Sequence, residues 1–159
     1  MTTEALYRYT GCGLGNVCLL NGYELRATPY GQTVAIDNLA GLQRAIAQAI
    51  VDKPGPLAGE EIRFLRTELD LSQRCLGDLL GRTAQSVALW EKRGTKPVPD
   101  AVGYLLRHIY RQHTDARSVY VEEVARQREA DREQYAACYL FQETDAGWQQ
   151  SDPQMAACA

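Results

Sequence analysis

The chain has 159 residues, 45% of them hydrophobic and 23% charged, which is the balance of an ordinary globular protein of one or two domains. No apolar run is long enough to cross a membrane, and the first residues lack the basic start and apolar stretch of a signal peptide, so a cytoplasmic protein is expected. The formal net charge is −3, but residues 57–113 carry nine Lys/Arg against seven Asp/Glu, whereas residues 114–159 carry four against nine. An acidic chain therefore keeps a positive middle segment, which leaves a nucleic-acid partner open.

Residues 6–36 are predicted to form β-strands. Asn21 and Gly22 lie between two apolar-rich runs, and these residue types best tolerate the positive φ angles of a type I′ turn, so a hairpin is predicted there. Pro29 and Gly31 predict a second turn, which leads into another strand.

The five cysteines predict neither a disulfide framework nor a metal site. They are Cys12, Cys18, Cys75, Cys138 and Cys158. Their number is odd, and no second Cys pair or His pair completes four zinc ligands. We therefore expect no metal and no cofactor, and we interpret the cysteines as small buried or half-buried thiols.

A helix is predicted after Asp37 or Asn38, either of which can cap it. Its apolar stripe, at helical spacing, consists of Leu39, Leu42, Ile46 and Ile50. The segment Lys53–Gly59 then contains two prolines and two glycines, which indicates a domain boundary. Residues 1–53 are accordingly predicted to be a β-rich module, and residues 57–113 a helical domain.

The helical domain is predicted to contain four helices. The second is capped by Ser72 and ends at Gly81, and the third is capped by Thr83 and closes at Gly94. The side chains predicted to face inward are Ile62, Leu65, Leu69, Leu76, Leu79, Leu80, Val87, Trp90, Val102, Leu105, Leu106 and Ile109. A helix, a tight glycine turn and a second, capped polar helix are the parts of a helix-turn-helix.

The helix that follows Thr83 carries the residue types that read base edges. With Val87 and Trp90 turned inward, its outer side presents Ala84, Gln85, Ser86 and Leu89. Gln can pair with adenine through two hydrogen bonds, Ser can bond to a base or a phosphate, and Ala or Leu can contact a thymine methyl group. The free amides at the start of the helix favour a phosphate.

The stretch "ELDLSQRCLGDLLGRTAQSVALWEKRG", residues 68–94, resembles the Cro/repressor-type helix-turn-helix, also called XRE-like. The residues in register with the family pattern are Leu71, Gln73, Leu76, Leu80, Gly81, Thr83, Ser86, Val87, Trp90, Glu91 and Gly94. One departure is Gly77, where Ala is usual; it is expected to cost the helix about 0.5–1 kcal/mol relative to Ala. The other is Arg93, inserted before Gly94.

The resemblance implies a dimeric transcriptional repressor on a palindromic double-stranded DNA operator with half-sites ~34 Å apart. It implies that Gln73 contacts the DNA backbone, that the base readers lie within Thr83–Leu89, and that the basic residues beyond them meet phosphates. The complete predicted DNA-binding set is Gln73, Arg82, Thr83, Ala84, Gln85, Ser86, Leu89, Lys92, Arg93 and Lys96.

Residues 1–53 contain no catalytic trio, no paired carboxylates and no phosphate loop, so no enzyme is predicted. Their apolar hairpins and striped helix suit either homodimerisation or the capture of another protein. More loosely, the layout resembles regulators linked to toxin–antitoxin modules. The alternative function is therefore an antitoxin-like regulator that binds a partner protein through residues 1–53, with DNA binding secondary.

The last part of the chain, residues 114–159, is predicted to be an acidic helical tail followed by a terminal strand. The charged helix begins after Asp115, and the strand-like run covers residues 138–150. An apolar strand this far along the chain needs a partner, and the N-terminal hairpins are the obvious candidate. The predicted class is therefore α+β, with a sheet built from both ends of the chain.

Overall fold

The computed structural model describes residues 6–114 and 138–152 and confirms the α+β class. The strands are β1 (Tyr7–Arg8), β2 (Val17–Leu19), β3 (Tyr23–Thr28), β4 (Gly31–Ile36), β5 (Tyr139–Thr144) and β6 (Gly147–Ser151). The helices are α1 (Leu39–Asp52), α2 (Gly59–Glu68), α3 (Gln73–Leu80), α4 (Ala84–Glu91) and α5 (Asp100–His113). Within these described ranges, no helix is long and apolar enough to span a lipid bilayer. The predicted acidic helix after Asp115 lies outside the described residues.

The chain divides into two compact units, and the division falls inside α1. The described residues of the first unit are 6–49 and 138–152, which hold all six strands. Those of the second unit are 50–114, which hold α2 to α5.

The first unit contains a four-stranded sheet in the order β1-β2-β5-β6. Strand β2 pairs with β1 antiparallel and with β5 parallel, with Cys18 opposite Leu140. Val17, Leu19, Leu140 and Phe141 are fully buried, so the central strands form the core of this unit. The prediction that the C-terminal strands join the N-terminal ones in one sheet is confirmed.

The hairpin predicted at Asn21 and Gly22 is wrong. Strand β2 does not pair with β3; instead β3 pairs with β4 in a separate two-stranded ribbon whose turn lies between Thr28 and Gly31. The Asn21 side chain binds the main chain of β5 instead. Its Oδ1 accepts the Glu143 amide at 2.6 Å, and its Nδ2 donates to the Glu143 carbonyl at 3.2 Å. The Asn21 side chain thus adds one further pair of hydrogen bonds to the ladder between β2 and β5. The main chain leaves the sheet at this point.

Gly22 is required where the chain turns away from the sheet. Its φ is +74°, and a Cβ built on it would overlap the Trp148 ring. Trp148 is 8% exposed, and its indole N–H donates to the Asp37 carbonyl at 2.9 Å. The glycine predicted for a turn therefore serves a close approach of main chain to an aromatic side chain.

Two cysteines meet in the first unit. The Sγ atoms of Cys18 and Cys138, both free thiols, lie 2.8 Å apart. Burial, and next to it the Cys18 thiol, raises the pKa of Cys138 to about 12, so this thiol stays protonated at neutral pH. Cys12 lies elsewhere in the unit and directs its Sγ at the Tyr9 carbonyl, 3.7 Å away.

Helix α1 begins as predicted. The Asn38 side chain accepts the Gly41 amide at 3.2 Å, which satisfies one of the amides that the first turn leaves open. Leu42 and Ile46 are fully buried. Leu39, predicted on the same apolar stripe, is 45% exposed; it is the first residue of the helix.

A buried charged cluster, consisting of Lys53, Glu61 and Arg107, organises the second unit. The Lys53 ammonium lies 3.2 Å from the Glu61 carboxylate and donates to the Pro56 carbonyl at 2.8 Å. Arg107 donates to the carbonyls of Lys53 at 3.2 Å and Gly55 at 2.9 Å. Burial raises the pKa of Glu61 and lowers that of Lys53, while each partner opposes the shift of the other. The cluster attaches the turn before α2 to α2 and α5.

Five of the predicted inward-facing positions in the second unit are wrong or overstated; two of them, Leu80 and Ile109, are half-buried. Leu79 is 56% exposed, because Leu76 and Gly77 bury the neighbouring side of α3. Leu105 is 39% exposed, because Arg107 and Tyr110 occupy the buried side of α5. Trp90 is also only half-buried.

Candidate nucleic-acid interface

Helices α3 and α4 begin after the predicted caps and α3 ends at Gly81 as predicted, but α4 ends at Glu91, three residues before the predicted Gly94. The Ser72 hydroxyl accepts the Cys75 amide at 3.0 Å, and the Thr83 hydroxyl accepts the Ser86 amide at 3.1 Å, so both helices have side-chain caps. Gly81 closes α3 in the left-handed conformation, with φ +65° and ψ +34°. Local residue chemistry therefore produces the helix, tight turn and helix.

Gly77 permits a close approach that the sequence did not reveal. A Cβ built on it would lie 2.7 Å from the Arg82 carbonyl oxygen and 3.0 Å from the Thr83 carbonyl carbon. The Arg82 amide meanwhile donates to the Gly77 carbonyl at 2.7 Å. The turn between the helices therefore packs main chain against main chain at this glycine.

We expect Gly77→Ala to destabilise the second unit by about 1 kcal/mol. The helix gains about 0.5–1 kcal/mol in propensity, but the added methyl group strains a contact with main chain that cannot rotate away, at a cost of about 1–3 kcal/mol. Urea unfolding of the two proteins measures the difference. A variant more stable than wild type would show that propensity decides and that the close approach is absent.

The inner side of α4 is held by α2 and by the loop that follows α4. Val87 is fully buried. The Gly59 amide donates to the Lys96 carbonyl at 3.1 Å, and the Glu60 amide donates to the Gly94 carbonyl at 2.9 Å. The first amides of α2 thus find their partners in the segment that leaves α4, which fixes the end of α4 on the start of α2.

A second attachment is a three-residue clamp, consisting of Arg66, Gln73 and Glu91. Arg66 donates Nε to Oε1 of Glu91 at 2.5 Å and Nη2 to Oε2 at 3.2 Å. Gln73 donates Nε2 to Oε2 of Glu91 at 2.9 Å, and Arg66 donates Nη1 to the Leu71 carbonyl at 2.8 Å. The Glu91 side chain is 7% exposed and that of Arg66 16%. One carboxylate therefore connects α2, the start of α3 and the end of α4.

The prediction that all four base readers face outward from α4 holds fully for two of them. Gln85 is exposed and Leu89 is 59% exposed. Ala84 and Ser86 are half-buried, and the Ser86 and Thr83 hydroxyls lie 3.1 Å apart. Gln85 and Leu89 are one helical turn apart, so together they form the outermost ridge of the helix.

The predicted basic contacts flank this ridge. Arg82 precedes α4, and Lys92, Arg93 and Lys96 follow it; all four are exposed. The Arg93 guanidinium donates to the Pro97 carbonyl at 3.0 Å, so part of its hydrogen-bonding capacity serves the loop. Gln73 is half-buried, and its amide serves the clamp with Glu91; the predicted contact between Gln73 and the DNA backbone stays a prediction.

An open cleft of about 330 Å³ adds Arg63 to the candidate interface. Its walls are formed by Arg63, Arg66, Gln73, Ala88, Glu91 and Lys92. Since Arg66 and Glu91 neutralise each other, the exposed Arg63 and Lys92 leave the cleft positive, as a phosphate site requires. Sequence reasoning missed Arg63, because its helix lies outside the pair that carries the motif.

Comparison with family models, with curated proteins and with solved structures finds no match to this chain. The resemblance to the Cro/repressor type therefore stays a prediction carried by the residues of the motif.

Proposed function

We propose that this protein is a sequence-specific regulator of transcription that binds double-stranded DNA as a homodimer and represses from a palindromic operator. It acts in the cytoplasm and performs no catalysis. The observation that carries the proposal is the two-sided character of α4: Val87 is fully buried, whereas Gln85 and Leu89 project into solvent.

The dimensions and chemistry of this surface suit a major groove, which is about 12 Å wide and admits one α-helix. Gln85 offers a donor and an acceptor for adenine, and Leu89 offers an apolar contact for a thymine methyl group. Arg82 before α4 and Lys92 after it are exposed cations, and in this arrangement they would contact the sugar–phosphate walls of the groove.

The direct test is selection of bound duplexes from a random-sequence pool with the purified full chain. We expect an enriched motif with two-fold symmetry, because two copies of α4 would read two half-sites. Enrichment of no motif, with binding equal on all duplexes, would contradict the proposal.

Lys96→Ala is expected to reduce the salt dependence of operator binding and to leave sequence preference intact. A lysine that neutralises one phosphate contributes about one unit to the slope of log affinity against log salt. The measurement is a titration of operator affinity at several salt concentrations. Arg44→Ala, which removes an exposed cation from α1, is the matched control and should leave the slope unchanged. Equal slopes for Lys96→Ala and wild type would remove Lys96 from the interface.

A further inference from the structure

The β3–β4 ribbon is the most exposed regular element in the described part of the chain. Residues 24–33 are all exposed, including Leu25 at 45% and Tyr30 at 100%. The ribbon pairs with no other strand among the described residues. A two-stranded hairpin alone is marginally stable in water, and three or more strands are the usual requirement. The ribbon is therefore an element that further strand pairing would stabilise.

The hydrogen-bonding direction identifies which main-chain groups of β3 point away from β4. The Asp37 amide donates to the Gly22 carbonyl at 2.9 Å, and the Thr33 hydroxyl donates to the Arg26 carbonyl at 3.3 Å. The main-chain amides and carbonyls of the even-numbered residues of β3 thus point toward β4. Because the direction alternates along a strand, the amides and carbonyls of Leu25 and Ala27 point to the outer edge.

We propose that β3 pairs antiparallel with β3 of a second copy of this chain, with Leu25 on the two-fold axis. The carrying observation is that the segment Glu24-Leu25-Arg26 is complementary to itself in this register. Glu24 then lies opposite Arg26 of the partner, and Arg26 lies opposite Glu24 of the partner. This pairing would be the subunit contact of the homodimer described under the proposed function. It rests on that function because it takes the homodimer from it.

The geometry favours this pairing on both faces of the combined sheet. Opposite residues 24 and 26 form non-hydrogen-bonded pairs, in which side chains approach most closely. Within one chain, Arg26 already donates to Glu24 at 2.8 Å, and both side chains are well exposed, at 63% and 64%. The four charges therefore alternate in sign around the axis. On the other face Leu25 meets Leu25 of the partner and covers apolar surface that is exposed in the single chain.

The outer edge of β4 does not have this complementarity. A two-fold axis at Val34 would place Thr33 opposite Ala35, which provides neither a charge pair nor a hydrogen-bonded pair. An axis at Leu25 of β3 is therefore preferred.

The test uses charge reversal in the purified full chain, with dimer dissociation measured by sedimentation equilibrium at low salt. Glu24→Arg and Arg26→Glu each place like charges opposite each other twice, and each should weaken the dimer on the order of tenfold. The double variant E24R/R26E restores complementarity and should dimerise as wild type. An equimolar mixture of the two single variants should form a heterodimer as tight as the wild-type dimer.

The double variant and the mixture control for misfolding, since they contain the same substitutions as the single variants. Dimerisation in these two samples would show that neither substitution prevents folding. A wild-type monomer, or a dimer that tolerates every reversal equally, would overturn the proposal; the second result would place the dimer contact elsewhere. The proposal would also be overturned if the wild-type chain stayed monomeric and β3 paired only with a strand of a different protein. Binding of each single variant to a duplex with one half-site tests DNA binding separately from dimerisation. Because α4 is unchanged in both single variants, each should bind this duplex as wild type does even where its dimer is weakened.

Discussion

Glu91→Ala is expected to destabilise the second unit by about 3 kcal/mol, a large part of the stability of a small domain. The substitution removes the acceptor of three hydrogen bonds and leaves the Arg66 guanidinium, 16% exposed, without its charge partner. Removal of one member of a buried ion pair costs about 3–5 kcal/mol, and the open cleft beside Arg66 places the value at the low end. Because Glu91 connects α2, α3 and α4, the orientation of α4 should loosen with it.

Hydrogen exchange measures this effect locally. Amides of α3 and α4 should lose protection in Glu91→Ala, whereas amides of the β3–β4 ribbon should not change. Asp78→Ala is the matched control, since it removes an exposed carboxylate from α3 and should stay within about 0.5 kcal/mol of wild type. The double variant Arg66→Met with Glu91→Leu should recover part of the loss, because no charge is left buried alone. A cost for Glu91→Ala no larger than that of Asp78→Ala would show that the clamp is not structural.

Apart from the joining of the C-terminal strands to the N-terminal sheet, the parts of the fold that sequence predicted are those determined by neighbours in the chain. Ser72 and Thr83 cap their helices through an amide three residues further on, and Gly81 turns the chain by its own left-handed conformation. The exposure of Gln85 follows from helical period once Val87 is assigned to the core.

The parts that sequence could not predict depend on residues far apart in the chain. Asn21 and Glu143 are 122 positions apart, so a dipeptide typical of a hairpin turn instead completes a sheet with the far end of the chain. Arg107 appears in sequence as one more solvated charge on a helix, yet it is buried because carbonyls about 52 to 56 positions earlier need donors. Tertiary hydrogen bonding overrides local preference in both cases.

The candidate site shows the same division. Its exposed ridge was predictable, but the hydrogen bond from Gln73 to Glu91 was not, since it is formed only when α3 packs against the end of α4. A residue expected to contact DNA therefore also supports the helix that would read it. Substitution of Gln73 would change both properties at once, whereas Gln85, exposed and outside the clamp, reports on DNA contact alone.

Gln85→Ala is expected to weaken operator binding by about 1–3 kcal/mol for each half-site, or roughly 5- to 150-fold. The loss should concentrate at one base pair, because a bidentate contact with adenine discriminates among bases at a single position. Competition with duplexes that differ at each position measures this distribution. Gln112→Ala removes an exposed glutamine from α5 and should bind every duplex as wild type does. An equal loss on all sequences would assign Gln85 to the phosphate backbone, and no loss would mean that the outer ridge of α4 is not the surface that reads DNA.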